Sequence, residues 1–427
     1  MHLDDYSRDE LVALEKEVSA RYDEHKRAGL ALDLTRGKPG IAQLDLSSGL
    51  DETLDGDFAA ADGTDVRGYG GLEGIAEARA LGAGLLGVPA DNVLAGGNSS
   101  LTFMHQYLMH AVFYGPTGDD GPWREIEDGP LFLCPVPGYD RHFGICEDLG
   151  IAMINVPMTG EGPDMDRVES LIADDPRIRG MWCVPRYSNP TGENYSDDTV
   201  RRIAAACASA APDFRLMWDD AYAVHALGND AAPLLNVLDA CREAGAEDKV
   251  ILFASTSKIT FAGGGVAFLA ASKKNLASFK QRLGVLTIGP DKVNQLRHAR
   301  FLKDLDGIRA HMRRHAAILK PKFQRVQEHL EKGLGNRGMG EWTTPDGGYF
   351  ISFYTRPGLA REVVRLSAEA GVKLTPAGAA YPYGEDPDDM HIRLAPSYPE
   401  LDAVDRAMRV FVTCVELATV RRRLSNA

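Results

Sequence analysis

Residues 251–268 read ILFASTSKITFAGGGVAF. An apolar run of strand length ends in Ser255-Thr256-Ser257-Lys258 and passes into a glycine-rich loop. A lysine closing a buried strand is out of place in a core, because an ammonium loses its hydration there. Desolvation lowers the pKa of such an amine and makes it reactive toward an aldehyde, while the flanking hydroxyls can hold a phosphate. The four residues alone also fit a surface lysine at a strand end, so the surroundings decide.

Working outward, short apolar runs recur at 130–139 (PLFLCPVPGY), 152–157 (AMINVP), 180–186 (GMWCVPR), 214–222 (FRLMWDDAY) and 249–256 (KVILFAST). Helix-like stretches such as 196–211 (SDDTVRRIAAACASAA) separate them. That alternation predicts an α/β fold with a mostly parallel sheet covered by helices. Upstream, Ser7 and Glu10 form a capping-box pattern that opens a helix over 7–28, and LDLTRGKPG at 32–40 ends it. A second helix is expected over about 73–86, followed by a strand, small-residue loop and helix in 92–113. Downstream, 291–333 reads as a long charged helical region in which Pro321 marks a helix start or a kink. The remainder, with β-like runs at 347–354, 371–383 and 390–397 and a final helix over 399–424, has the pattern of a small α+β domain.

The chemistry-bearing residues lie at the ends of these runs. Asp219 and Tyr222 follow a strand, where an open α/β sheet presents ligands. A pyridoxal ring would use both, the carboxylate to keep its nitrogen protonated and the phenol to bond its ring oxygen. Asn189, in Asn189-Pro190-Thr191-Gly192 after the strand at 180–185, could reach the same oxygen. The loop Gly96-Gly97-Asn98-Ser99-Ser100 offers backbone N–H groups at a helix N-terminus plus two hydroxyls, suited to a phosphate. Tyr139, after Pro137-Gly138, could lie on the ring face, and Arg393, in an otherwise apolar run, needs a carboxylate. Taken singly, each has a plainer reading: a helix cap at Asp219 or Asp220, a turn at 189–192, a connection at 96–100, packing at Tyr139, a structural acid opposite Arg393.

Bulk properties narrow the field. With 427 residues the chain exceeds one ordinary core. A net charge of −14 excludes a sequence-independent nucleic-acid surface, and Arg421-Arg422-Arg423 reads as the end of a solvated helix. No apolar run approaches the about 18 residues of a membrane span. The six cysteines are scattered without metal-ligand or disulfide-scaffold spacing, so no metal is expected, and reduced thiols fit a cytoplasmic location. The acidic, amphipathic N-terminus lacks the features of an export signal.

Tyr69 in RGYGG, the GGNSSL loop, Tyr139 in PGYDRHF, NPTG at 189, DDAY at 219, SxSK at 255 and IRLA at 392 occur in an order that resembles the class I aminotransferases of fold type I. LTRGKP, GNSSL, STSKITFAG and IGPDKVNQLRH are similar to strings of the aspartate aminotransferase subgroup related to MocR-type aminotransferase domains. The resemblance implies pyridoxal 5′-phosphate as cofactor and a seven-stranded, mostly parallel large domain over 51–305. It also implies a small domain built from 1–50 and 306–427. Lys258 becomes the Schiff-base former and proton carrier, with Asp219 at the pyridine nitrogen, Asn189 and Tyr222 at the phenolic oxygen, and Tyr139 on the ring. Asn98, Ser99, Ser100, Ser255 and Ser257 hold the phosphate, joined by Tyr69 from a neighbouring subunit in a homodimer with shared sites. Arg393 takes the substrate α-carboxylate with Asn189 and Arg36 nearby, and the backbone around Gly37 closes over it. One departure stands out: many relatives carry an arginine shortly after the lysine for the phosphate, and here Gly263-Gly264-Gly265-Val266-Ala267 fills that stretch.

The implied reaction moves an amino group from an L-amino acid, aspartate above others, to 2-oxoglutarate. A side-chain carboxylate needs a second cation, for which Arg36, Lys38, Arg141, Lys292 and Arg297 are candidates. Aromatic or kynurenine-type transamination and a β-lyase remain alternatives. A MocR-like regulator is a reading of another class, disfavoured because residues 1–33 are too short for a helix-turn-helix module and are acidic.

Overall fold

The apolar runs become strands in the computed structural model, which describes residues 2–228 and 233–426. In chain order they are β1 (Leu32–Asp33), β2 (Val93–Ala95), β3 (Leu131–Val136), β4 (Ala152–Pro157), β5 (Ile178–Cys183), β6 (Arg215–Asp219), β7 (Val250–Ser255) and β8 (Ala267–Ala271). There follow β9 (Gly340–Trp342), β10 (Ile351–Thr355), β11 (Val372–Lys373) and β12 (His391–Leu394). Seven of them form one sheet in the order β2-β8-β7-β6-β5-β3-β4. Only β8 runs against its neighbours; β7, β6, β5, β3 and β4 pair in parallel.

Both faces are covered, which is why these strands read as continuous apolar runs rather than alternating ones. Successive side chains take opposite faces. Leu216, Trp218 and Leu252 join one core with helices Ala76–Leu86, Asp197–Ser209 and Val237–Glu243. Met217, Trp182 and Phe253 join another with helices Ser100–Tyr114, Asp140–Asp148 and Lys273–Leu286.

A third core unites the two ends of the sequence. Helices Arg8–Arg27, Leu305–Leu334, Ala360–Glu369 and Leu401–Ser425 bury Leu11, Leu330, Val363 and Phe411 with Phe353 of β10. They pack on the antiparallel sheet β12-β10-β9 and the parallel pair β1-β11. The first helix starts as expected: Ser7 Oγ accepts from Glu10 N at 3.3 Å and Glu10 Oε2 accepts from Ser7 N at 2.8 Å.

Three local expectations change. The second helix begins at Ala76 rather than near 73, because Gly74 sits at φ +82 and a Cβ there would lie 2.7 Å from Ala95 O. The region 291–333 is two helices, Lys292–Leu302 and Leu305–Leu334, parted at Lys303 with φ +66. Asp304 caps the second through Gly307 N at 2.8 Å, and Pro321 lies in its interior, not at its start. Finally, β8 follows directly on what reads as a glycine loop.

Among the described residues no helix is long and apolar enough to cross a membrane, and all six cysteines are buried free thiols. Burial also holds several histidines neutral: desolvation first of all pushes His225, His315 and His391 down to about 3, and His110 and His298 to about 4. Their folded values lie below the free value of 6.5, so the unfolded chain binds more protons between the two. Stability from this source is complete above 6.5 and is lost as pH falls toward 4. Melting midpoints should therefore be level near about pH 7–8 and drop steadily below about pH 6. A midpoint unchanged down to about pH 5 would show that these rings are not held neutral.

Candidate active site

The expected residues converge beyond the carboxyl ends of β3, β5, β6 and β7, the edge where an open α/β sheet binds ligands. Asp219 ends β6 and is 3% exposed. Its Oδ2 accepts from His142 Nε2 at 3.1 Å, and its Oδ1 is buried with no hydrogen-bond partner. A buried, unpaired carboxylate oxygen is costly unless something donates to it, and a protonated ring nitrogen is the donor expected here. His142 is fixed in turn by stacking on Trp182, centroids 4.0 Å apart and planes 5° from parallel. Tyr139 stands edge-on to His142 at 4.9 Å, beside the same space.

Asp220 takes the opposite direction, as its place on the strand dictates. It lines a separate cavity of about 550 Å³ with Arg186, Trp218 and Met312. Burial pushes its carboxyl up to about 6, against the Arg186 guanidinium 3.5 Å away. Neither aspartate caps a helix among the described residues: the chain turns through 221–224 instead.

Lys258 lies in the excursion between β7 and β8, whose ends are clamped by Thr256 N to Val266 O at 2.9 Å and Val266 N to Thr256 Oγ1 at 2.8 Å. Its Nζ stands 4.7 Å from the centroid of the buried Tyr222 ring. Desolvation lowers the amine's pKa, and the Asp219 charge opposes that shift only in part. The Tyr222 phenol is pushed up by burial and stays a neutral donor.

Next to it, a cradle is assembled from two loops. Ser257 Oγ donates to Asn98 O at 2.6 Å, Asn98 Nδ2 to Gly263 O at 3.0 Å, and Ala267 N to Gly97 O at 2.7 Å. Ser99 caps helix Ser100–Tyr114 without a side-chain bond, leaving its hydroxyl and that of Ser100 beside the helix N-terminus; Ser255 closes β7. A Cβ on Gly265 would fall 2.7 Å from Ser257, so no larger residue fits there, and the backbone and hydroxyls beside the helix N-terminus are the groups that could hold an anion.

Arg393 Nη1 donates to Asn189 Oδ1 at 3.3 Å and lies 3.5 Å from Asp140 Oδ1, while Nη2 donates to Thr375 Oγ1 at 3.3 Å. These are long, mostly neutral contacts, leaving the fork able to take a carboxylate. Its face rests 4.8 Å from the Phe350 ring centroid, and a Cβ at Gly37 would meet that ring at 1.9 Å. Glycine alone lets the 36–40 segment approach so closely.

Two expected residues stand apart. Tyr69 is 94% exposed, its carbonyl 3.5 Å from Lys292 Nζ. Arg36 is turned to Asp33 Oδ2 at 3.0 Å. Sequence reasoning missed His142, Trp182, Phe350 and Thr375. His142 alone left a trace, three residues after Tyr139 on one helix face.

Fold and site together define an aminotransferase of the fold type I class. A family model for the aspartate aminotransferases matches residues 6–427. The aspartate aminotransferase of Corynebacterium glutamicum is 46% identical over 420 residues, covering 97% of this chain and 96% of that one. A crystal structure of an aspartate transaminase from the same organism superposes with a TM-score of 0.95 at 46% identity, over 99% of both chains. The α-aminoadipate aminotransferase of Thermus thermophilus, solved with N-(5′-phosphopyridoxyl)-L-leucine, shares the fold at 23% identity, with a TM-score of 0.74 over 92% of this chain and 93% of the other. The chain belongs to the aspartate aminotransferase family.

Proposed function

We propose that this chain binds pyridoxal 5′-phosphate at Lys258 and transfers the amino group of L-aspartate to 2-oxoglutarate, as a cytoplasmic homodimer with shared sites. The observation that carries the reading is the pair formed by the poorly solvated Lys258 amine and the unpaired Oδ1 of buried Asp219. When bound, the cofactor supplies an aldehyde for the amino group and a ring that withdraws electrons from the substrate Cα.

The protein's own work is positional and acid–base. Arg393 would grip the α-carboxylate by its fork and so would select the Cα bond that breaks. Lys258, less basic than a free lysine, would take the proton from Cα and deliver it to the cofactor carbon that bore the aldehyde, C4′. Asp219 holds a proton on the ring nitrogen, and His142 on Trp182 keeps Asp219 from turning away. The hydroxyl of Tyr222 and the amide of Asn189 would serve the phenolic oxygen, Tyr139 would take the ring face, and Asn98, Ser99, Ser100, Ser255 and Ser257 would hold the phosphate. Phe350 and the segment around Gly37 exclude water from the carboxylate site. The exposure of Tyr69 supports its reaching a second copy.

For the side-chain carboxylate, Arg141 is favoured. Arg36 and Arg297 are occupied by Asp33 and Asp51 at 3.0 and 2.7 Å, and Lys38 lies 4.6 Å over the Tyr398 ring. Arg141 is exposed next to Asp140, and its charge already acts on the Tyr139 phenol. Arg141→Gln should raise KM for aspartate by roughly 10- to 100-fold, as expected for loss of a charged hydrogen bond, with little effect on an aromatic donor. Equal losses for both donors would reject this assignment.

The test of the reading is a panel of amino donors, each with 2-oxoglutarate, following the visible band of the cofactor-loaded protein. Aspartate should discharge the band and yield a 2-oxo acid. Preference for aromatic donors or kynurenine, or release of ammonia and pyruvate, would replace it with the aromatic or β-lyase alternative.

A further inference from the structure

Between the segment that backs Arg393 and the loop that carries Lys258 runs a chain of buried polar groups that the reaction does not use. Gly40 N donates to Gln43 Oε1 at 3.1 Å. That bond fixes the amide's orientation, so Gln43 Nε2 donates at its other end, to Tyr349 Oη at 3.3 Å and His315 Nδ1 at 3.1 Å. Tyr349 Oη, having accepted, donates to Lys258 O at 3.1 Å, and His225 Nε2 approaches the same carbonyl at 3.4 Å. His315 Nδ1, having accepted, leaves its proton on Nε2, which lies 3.2 Å from His311 Nε2, and His311 Nε2 stands 3.0 Å from Ile259 O.

The run from Gly40 through Gln43 and Tyr349 has one consistent direction and ends on the Lys258 carbonyl, while the branch through His315 reaches His311, which lies beside the next carbonyl, that of Ile259. Gln43, His315 and Tyr349 are each fully buried. Stability alone does not call for such a network, since apolar groups of similar shape fill a core at no greater cost; a fully satisfied polar chain selects one geometry. The two ends are joined a second time by adjacent residues: Tyr349 bonds the lysine segment, and Phe350 lies under Arg393 and against Gly37.

We infer that Gln43, His315 and Tyr349 are positioning residues that transmit the seating of a carboxylate at Arg393, through the 36–40 segment, to the main chain of Lys258. This rests on the reading of Arg393 as carboxylate site and Lys258 as reactive amine.

The test uses the cofactor-loaded protein with succinate, a dicarboxylate without an amine, as probe. Backbone hydrogen exchange is read by mass spectrometry with and without saturating succinate, beside kcat, KM and melting temperature. In the unaltered protein succinate should slow exchange in both 36–47 and 256–262. In Tyr349→Phe and, separately, His315→Gln, it should still slow 36–47 but no longer 256–262. For both variants kcat for aspartate should fall about tenfold, the cost of a modest misplacement, with KM within about twofold. The proposal is overturned if succinate still protects 256–262 in both variants, or if kcat falls only in proportion to lost melting temperature. Should Tyr349→Phe fail to fold, His315→Gln decides. Absence of protection at 36–47 in the unaltered protein would instead reject Arg393 as the carboxylate site, and the proposal with it.

Discussion

Lys258→Ala is expected to reduce turnover of aspartate by about 10⁴-fold or more, the scale on which loss of a covalent catalytic group is felt. Among the described residues, neither lysine buried in the core is free to substitute. Both are committed elsewhere, Lys292 to Tyr69 O at 3.5 Å and Lys322 to Ser397 O at 3.1 Å. The same replacement should leave the fold intact. In the free protein the Lys258 amine is desolvated, and that is why its pKa is lowered; removing it relieves an unfavourable burial rather than breaking a bond. The variant should accordingly melt no lower than the parent when both are cofactor-free. Stopped kinetics with unchanged melting separates a catalytic lysine from a structural one. Residual turnover above about 1% of the parent, against that 10⁴-fold scale, would sink the assignment.

Asp219→Asn should lower kcat by about 10²- to 10⁴-fold, the rate equivalent of the about 3–5 kcal/mol carried by a buried charge pair. The substitution preserves shape. His142 Nε2 donates at 3.1 Å, so the asparagine must turn its carbonyl oxygen to the histidine and its NH₂ toward the cofactor ring. A ring nitrogen facing a donor stays unprotonated and withdraws electrons poorly. His142→Ala should be milder, because the charge remains and only its orientation by the Trp182 stack is lost. Kinetics for the three proteins, with the visible band followed in each, provide the check. Equal losses for Asp219→Asn and His142→Ala would mean that orientation, not charge, is what the site needs.

How much of this was readable in advance depended on distance along the chain. Strands β2 to β7 and β10 to β12 followed from β-like runs in the sequence, whereas β1, β8 and β9 did not, and Lys258, Asp219, Tyr222 and Asn189 were singled out because each lies at the end of such a run. The reversal of β8 was not readable, because it is set by how the 256–266 excursion folds back on Thr256 rather than by the residues of β8 themselves. Nor was the split at Lys303 within a region of uniform helical character. His142 stayed hidden since its partner Asp219 is 77 residues away, and the Gln43 contacts span 272 and 306.

The sequence by itself determined what neighbouring residues decide among themselves. The capping box at Ser7, the apolar runs that demand two covered faces, and the glycines at 37 and 265 all act over a few residues. Tertiary structure alone decided that Asp219 and Asp220 face different spaces, and that the former keeps a buried oxygen unpaired. It also decided the state of Lys258. As four letters, SxSK is compatible with an ordinary surface lysine. The loss of basicity that makes its amine reactive comes from withdrawing water around it, and that water is displaced by Tyr222 and the surrounding core, brought in from distant parts of the chain.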